Sequence, residues 1–150
     1  MIRAATKSDV DVLVQLSIQT IRASYTSFLG KERVDGFIGS GEIDQYVRNN
    51  LHCCCVIEVD GSTVGYCIPK GRVIDLMMID HRYHRQGFGS KLLLYAEQEL
   101  FKDHDEIVLE SFEPNHVANA FYRHHGWVEA RRYADDKSGV DMIEFRKGKV

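Results

Sequence analysis

The alternation of apolar and polar positions divides the 150-residue chain into an opening strand, a long amphipathic stretch, a glycine-interrupted middle and a strand-rich remainder. Residues 2–4 suit a short strand. Behind the start signal Ser8-Asp9-Val10-Asp11, the apolar residues Val10, Leu13, Leu16, Ile18 and Ile21 recur at near-helical spacing and predict a helix to about residue 24. From 25 to 50, Gly36, Gly39 and Gly41 interrupt Phe28, Leu29, Val34, Phe37 and Ile38, which predicts one or two short helices with a mobile joint, a place for a substrate-side lid. Residues 53–59 are rich in strand formers, Asp60-Gly61 is a hairpin signal, and 63–68 is the return strand. After a turn near Lys70-Gly71, residues 73–79 form a nearly continuous apolar strand, expected at the centre of its sheet. Helices at 90–101 and 117–124 then alternate with strands at 107–109, 127–132 and 140–145. The order β-α-α-β-β-β-α-β-α-β-β describes an α/β chain: one domain, with a mixed sheet covered by helices and no internal repeat.

Composition narrows the classes. Hydrophobic residues make up 44% and charged residues 27%, the balance of a globular domain. Lysine and arginine total 19 against 22 acids, a net charge of -3 that speaks against nucleic-acid binding but leaves a local basic site open. No apolar run reaches the roughly 20 residues needed to cross a bilayer. Asp9 and Asp11 interrupt the N-terminal segment, so a signal peptide and a membrane role are not expected and the expected location is cytoplasmic. Cys53, Cys54, Cys55 and Cys67 read as reduced thiols packed on strands; adjacent strand residues face opposite ways, which makes the triplet a poor metal claw. His124 and His125 diverge by about 100° on a helix, and His81 and His84 lack ligand spacing, so no metal is expected.

Chemistry concentrates in His84-Arg85-Gln86-Gly87-Phe88-Gly89-Ser90-Lys91, between the central strand and a helix. Two glycines one residue apart let the backbone turn tightly and present N–H groups to a ligand. With the unpaired donors of the helix's first turn, and with Arg85 and Lys91 nearby, they form an anion site suited to a pyrophosphate. A plain glycine-bearing turn edged by solvated basic residues reads equally well from these residues alone. The segment lacks the Gly-Lys-Ser/Thr ending of a P-loop, and Leu92 stands where a dinucleotide fingerprint needs its third glycine.

Residues 79–93 resemble the acetyl-CoA loop of the GCN5-related N-acetyltransferase (GNAT) superfamily, whose pattern is Arg or Gln, two residues, Gly, one residue, then Gly or Ala. Gly87 and Gly89 match, and His84 departs from the leading Arg/Gln. Asn115, Ala118, Tyr122, Gly126 and Trp127 match the spacing of the family's Asn-x-x-Ala-x-x-x-Tyr-x-x-x-Gly-aromatic segment, and Glu110 stands where some members place a strand carboxylate. The matches run in order over residues 79–127, about a third of the chain.

The resemblance implies a mostly antiparallel mixed sheet flanked by helices and splayed between its fourth and fifth strands. It also implies acetyl-CoA as co-substrate, without a metal, held by backbone groups of Met77 and Ile79 and by His84, Arg85, Gln86, Gly87, Phe88, Gly89, Ser90, Asn115 and Tyr122. Tyr122 would be the general acid toward the departing sulfur, its phenol pKa of about 10 keeping it protonated near neutrality. Either Glu110 or Asp75 would be the general base. The implied reaction is direct transfer of an acetyl group to a primary amine on a small molecule, polyamine or peptide; the alternative is a catalytically silent acyl-CoA sensor. A nucleic-acid binder using Arg82, Arg85 and Lys91 is a third reading, opposed by the net charge. Glu32, Asp35, Glu42, Asp44, Asp135 and Asp136 hint at a cationic acceptor, or form an ordinary solvated acidic surface. A homodimer is compatible with the chain.

Overall fold

The computed structural model describes all 150 residues. In chain order the elements are β1 (Ile2–Ala4), α1 (Val10–Leu29), α2 (Lys31–Gly39), α3 (Glu42–Asn49), β2 (Cys55–Val59), β3 (Ser62–Lys70), β4 (Val73–Ile79), α4 (Phe88–Leu100), β5 (Glu106–Phe112), α5 (His116–His124), β6 (Val128–Ala134) and β7 (Asp141–Gly148). One seven-stranded sheet has the order β1-β2-β3-β4-β5-β7-β6, antiparallel throughout except for the parallel pair β4 and β5.

Strand alternation divides the core between the two faces of the sheet. On one face Ile57, Cys67, Leu109 and Phe145 pack with Leu92 and Leu93 of α4 and with Trp127. On the other, Val56, Tyr66 and Ile68 pack with Leu13 of α1, Val34 of α2 and Val47 of α3. Adjacent cysteines divide the same way, Cys54 to the α1 face and Cys55 to the α4 face.

Local chemistry moves several boundaries. Thr6, rather than Ser8, opens the first helical segment: its N–H donates to Asp9 Oδ2 at 2.7 Å, and a 3₁₀ turn over Lys7–Asp9 leads into α1. α1 continues past residue 24 because Tyr25 and Phe28 extend its packing to Phe112. The breaks in the glycine-rich stretch fall at Gly30 and Gly41, whose φ values of 88° and 82° favour glycine, while Gly36 and Gly39 lie exposed within α2. That stretch thus holds two helices beyond α1. Cys53 belongs to a 3₁₀ turn, Leu51–Cys53, and not to the following strand. The Asp60-Gly61 turn has both φ values positive, at 51° and 80°, as a two-residue hairpin of this kind requires.

A buried polar clamp fastens α4 to the far half of the sheet. Glu97, 4% exposed, accepts from Trp127 Nε1 at 3.0 Å and from Lys147 Nζ at 2.6 Å, and Lys147 also donates to the His125 carbonyl at 2.7 Å.

Candidate active site

β4 and β5 pair only at Val73 with Val108 and Ile74 with Leu109, with one further bond from the Val108 N–H to the Arg72 carbonyl at 3.0 Å. Beyond this point the two strands separate toward their C-terminal ends, which opens a cleft in the middle of the sheet. The extra residue at the point of departure is Asp75, bulged out of the β3–β4 ladder between Ile74 and Leu76. The Asp80 N–H bonds the Val64 carbonyl at 2.8 Å, and antiparallel alternation from that bond turns the backbone groups of Met77 and Ile79 toward the cleft. The Ile79 carbonyl is already used, accepting from His84 Nε2 at 2.8 Å. The Ile79 N–H and both Met77 groups remain for a ligand.

The glycine loop lies at the mouth of this cleft. No N–H from Arg85 through Ser90 is hydrogen-bonded within the chain; the first bond of the helical turn runs from the Lys91 N–H to the Gly87 carbonyl. This row of free donors at a helix N-terminus is an anion nest. Gly87 has φ 85°, where a side chain would be strained. A Cβ on Gly89 would meet Phe121 Cζ at 3.4 Å, Phe121 Cε1 at 3.6 Å and Ile79 Cγ1 at 3.7 Å, ordinary contacts, so alanine would fit there. Arg85 itself has φ 62°, a conformation costing a non-glycine residue roughly 1–2 kcal/mol. Arg82 is drawn back onto Asp80 at 2.8 Å, which leaves Arg85 and Lys91 as the unpaired cations of the loop.

Not every residue singled out from sequence offers its side chain. Ser90 Oγ lies 2.8 Å from His125 Nε2, while His125 Nδ1 lies 2.9 Å from the Phe121 carbonyl. Since a carbonyl only accepts, Nδ1 carries the proton, Nε2 accepts from Ser90, and the Ser90 hydroxyl is spent on α5. Asn115 begins α5 with its carbonyl accepting the Asn119 N–H at 3.1 Å. The buried anchor is Asn119, whose amide donates to the carbonyls of Phe112 at 3.1 Å and Glu113 at 2.9 Å and so fixes the β5–α5 turn. Asn119 and His125 were missed from sequence, although an Asn one helical turn after Asn115 was a visible signal.

Tyr122 lies under α5, its ring packed against Phe145 at 5.9 Å and Trp127 at 6.5 Å between centroids. Its hydroxyl has no protein partner and is not sealed from solvent. Burial pushes its pKa well above the phenolic value. Tyr122 belongs to the same face of the sheet as Cys67, the β3 partner of Met77.

The two carboxylates proposed as base flank the start of the cleft, each following the last paired residue of its strand. Asp75 is bound by the Tyr46 hydroxyl and lies 3.7 Å from Lys70 Nζ. Glu110 is exposed beside the Tyr133 hydroxyl, and burial together with that carboxylate lifts Tyr133 to about 12. Several acids read as an acceptor surface are already paired: Asp35 with Arg22 and with Lys31 at 2.8 Å, and Asp44 with Arg48 at 2.7 Å.

Solved structures share this fold across the whole chain. A GCN5-related N-acetyltransferase of Rhodopseudomonas palustris aligns with a TM-score of 0.85 at 15% identity, covering 99% of this chain and 95% of its own. The PaiA N-acetyltransferase of Thermoplasma acidophilum, in complex with coenzyme A, aligns at 0.81 with 18% identity, covering 99% and 98%. A ribosomal-protein-alanine N-acetyltransferase of Brucella melitensis aligns at 0.74 with 17% identity, covering 99% of each chain. Comparison with curated proteins found no match. The family model for the acetyltransferase (GNAT) family matches residues 18–127, and the chain belongs to that family.

Proposed function

We propose that the protein transfers the acetyl group of acetyl-CoA directly to a primary amine, in a complex holding both substrates. The observation that carries this reading is the junction of two features: an anion nest over Arg85 to Ser90, and an unpaired β4 edge that leads from it past Tyr122. The nest fits the pyrophosphate of coenzyme A, and the Met77 and Ile79 groups fit an amide-bearing arm and a thioester carbonyl. The coenzyme A bound to the PaiA protein of the same fold supports that assignment.

In the transfer the amine nitrogen forms a bond to the thioester carbon, the carbon–sulfur bond breaks, and the departing sulfur takes the Tyr122 proton. The raised Tyr122 pKa keeps that proton in place at neutral pH. The surplus amine proton leaves through Glu110 or Asp75, directly or by way of water. Tyr122 then regains its proton from solvent. The acceptor is a small-molecule, polyamine or peptide amine, and the expected setting is cytoplasmic.

The test is acetylation of an amine panel, followed by mass spectrometry of the products, with Tyr122→Phe beside the wild type. Tyr122→Phe should lower kcat by about 10²–10⁴-fold, the weight of a general acid, while acetyl-CoA affinity changes little. Gly87→Glu, verified as folded by its melting curve, should lose acetyl-CoA binding. Tight acetyl-CoA binding with no turnover on any amine would replace the enzyme with the acyl-CoA sensor.

A further inference from the structure

Two tyrosines with unpartnered hydroxyls pack on opposite faces of the sheet, and the mechanism above uses only Tyr122. Tyr25 lies in the last turns of α1, ahead of Gly30. Its ring stands edge-on to Phe112 of β5 with centroids 5.1 Å apart, and Phe28 completes the cluster at 5.7 Å from Tyr25 and 5.3 Å from Phe112. The body of α1 packs on β3 and β4. The helix therefore bridges the gap between β4 and β5 with these rings, on the face opposite α5.

The other shielded tyrosines of this face are occupied. Tyr66 Oη is 2.5 Å from Ser17 Oγ, and Tyr46 is bound to Asp75. The Tyr25 hydroxyl has no partner, yet it is not an orphan sealed in the core. Burial raises its pKa, so it stays neutral and cannot take up a proton as a base. Its ring, set between α1 and Phe112 of β5, lies on the face of the sheet opposite Tyr122. A nucleophile must approach a planar thioester from one side, and α5 with Tyr122 covers the other.

We infer that Tyr25 is a catalytic residue on the acceptor side, its hydroxyl oxygen accepting an N–H hydrogen bond from the attacking amine and aligning the nitrogen lone pair with the thioester carbon. The inference rests on the acetyl-transfer reading. Tyr25 begins and ends the step neutral: nitrogen gains the bond to carbon, sulfur leaves with the Tyr122 proton, and the amine's surplus proton departs by the carboxylate route.

Tyr25→Phe deletes the hydroxyl and keeps the ring contacts with Phe28 and Phe112. Spermidine, kanamycin and a short peptide with a free α-amine serve as acceptors, product is read by mass spectrometry, and acetyl-CoA binding is read by calorimetry. With whichever acceptor the wild type acetylates, Tyr25→Phe should lower kcat/KM for the amine by about tenfold or more, the weight of one hydrogen bond. Its dissociation constant for acetyl-CoA should stay within about twofold, a split that a general packing defect does not produce. An unchanged kcat/KM overturns the inference and leaves transfer through Tyr122 standing. Parallel loss of acetyl-CoA binding overturns it as well, by making Tyr25 a residue of the coenzyme side. A wild type that binds acetyl-CoA but acetylates none of the three acceptors overturns both readings.

Discussion

Asp9 joins three segments through one carboxylate. Arg3 donates to both of its oxygens at 2.8 Å, and the Thr6 N–H donates to Oδ2 at 2.7 Å, tying β1 to the start of α1. These bonds outweigh the cost of burial and hold the Asp9 pKa down to about 2. A depressed folded pKa stabilises the protein above the unfolded value near 3.8 and loses that contribution as pH falls through about 2. Asp9→Asn should therefore cost about 1–2 kcal/mol at neutral pH, measured by urea unfolding. The gap between variant and wild type should close as the titrations are repeated below about pH 4. A gap of equal size at low and neutral pH would assign the effect to packing.

Among the elements, β3 decides where the β4 edge stands. Gly65 faces Ile79 across the ladder, and a Cβ there would lie 2.4 Å from Ile79 Cδ1 and 2.7 Å from the Met78 carbonyl oxygen. A side-chain methyl can rotate away, but a backbone oxygen in a ladder cannot. Gly65→Ala should destabilise the fold by roughly 1–3 kcal/mol, read by thermal melting. Since the displaced residues carry the groups assigned to the coenzyme arm, acetyl-CoA affinity should fall with it, read by calorimetry. Full affinity in a destabilised variant would detach the β4 edge from coenzyme binding. α5 is set in a similar way from both ends, through Asn119 on the β5 turn and His125 on Ser90. The glycine loop, the Tyr122 helix and the end of β5 are thereby fixed to one another by partly buried polar bonds.

Over the whole molecule, the charge of -3 is less polarised than the sequence suggests. Asp35 is neutralised by Lys31 and by Arg22 of α1, Asp44 by Arg48, and Asp135 is spent on the Ser138 N–H and hydroxyl, 3.1 and 2.8 Å away. The loop side keeps Arg85 and Lys91 while Arg82 turns back to Asp80. Ligand binding to such a preformed nest couples to global stability by mass action. Coenzyme A at about a hundred times its dissociation constant contributes roughly 2.7 kcal/mol, equivalent to about 5–10 °C in Tm for a chain of this size. Scanning calorimetry with and without coenzyme A checks this, with Gly87→Glu as the control that should show no shift. Absence of a shift in the wild type would remove the coenzyme from the nest.

Much of this arrangement follows from local chemistry. Hydrophobic periodicity, hairpin turns and glycine placement are set within windows of a few residues, so the element order, the anion loop at Gly87 and Gly89, and the α5 helix bearing Tyr122 could be read directly from the chain. The errors had local causes too, such as a 3₁₀ turn at Thr6 and exposed glycines tolerated inside α2. What the sequence could give only through resemblance was the cleft, because its existence depends on β4 and β5 ceasing to pair after Ile74 and Leu109. Whether a backbone N–H is free depends on the strand beside it, and that neighbour comes from a segment more than thirty residues away. The same holds for Tyr25 and His125, whose partners Phe112 and Ser90 are brought to them from distant parts of the chain. The sequence by itself determined the parts and the glycine loop; the tertiary structure alone decided which donors stay unpaired and which rings pack on either face of the gap.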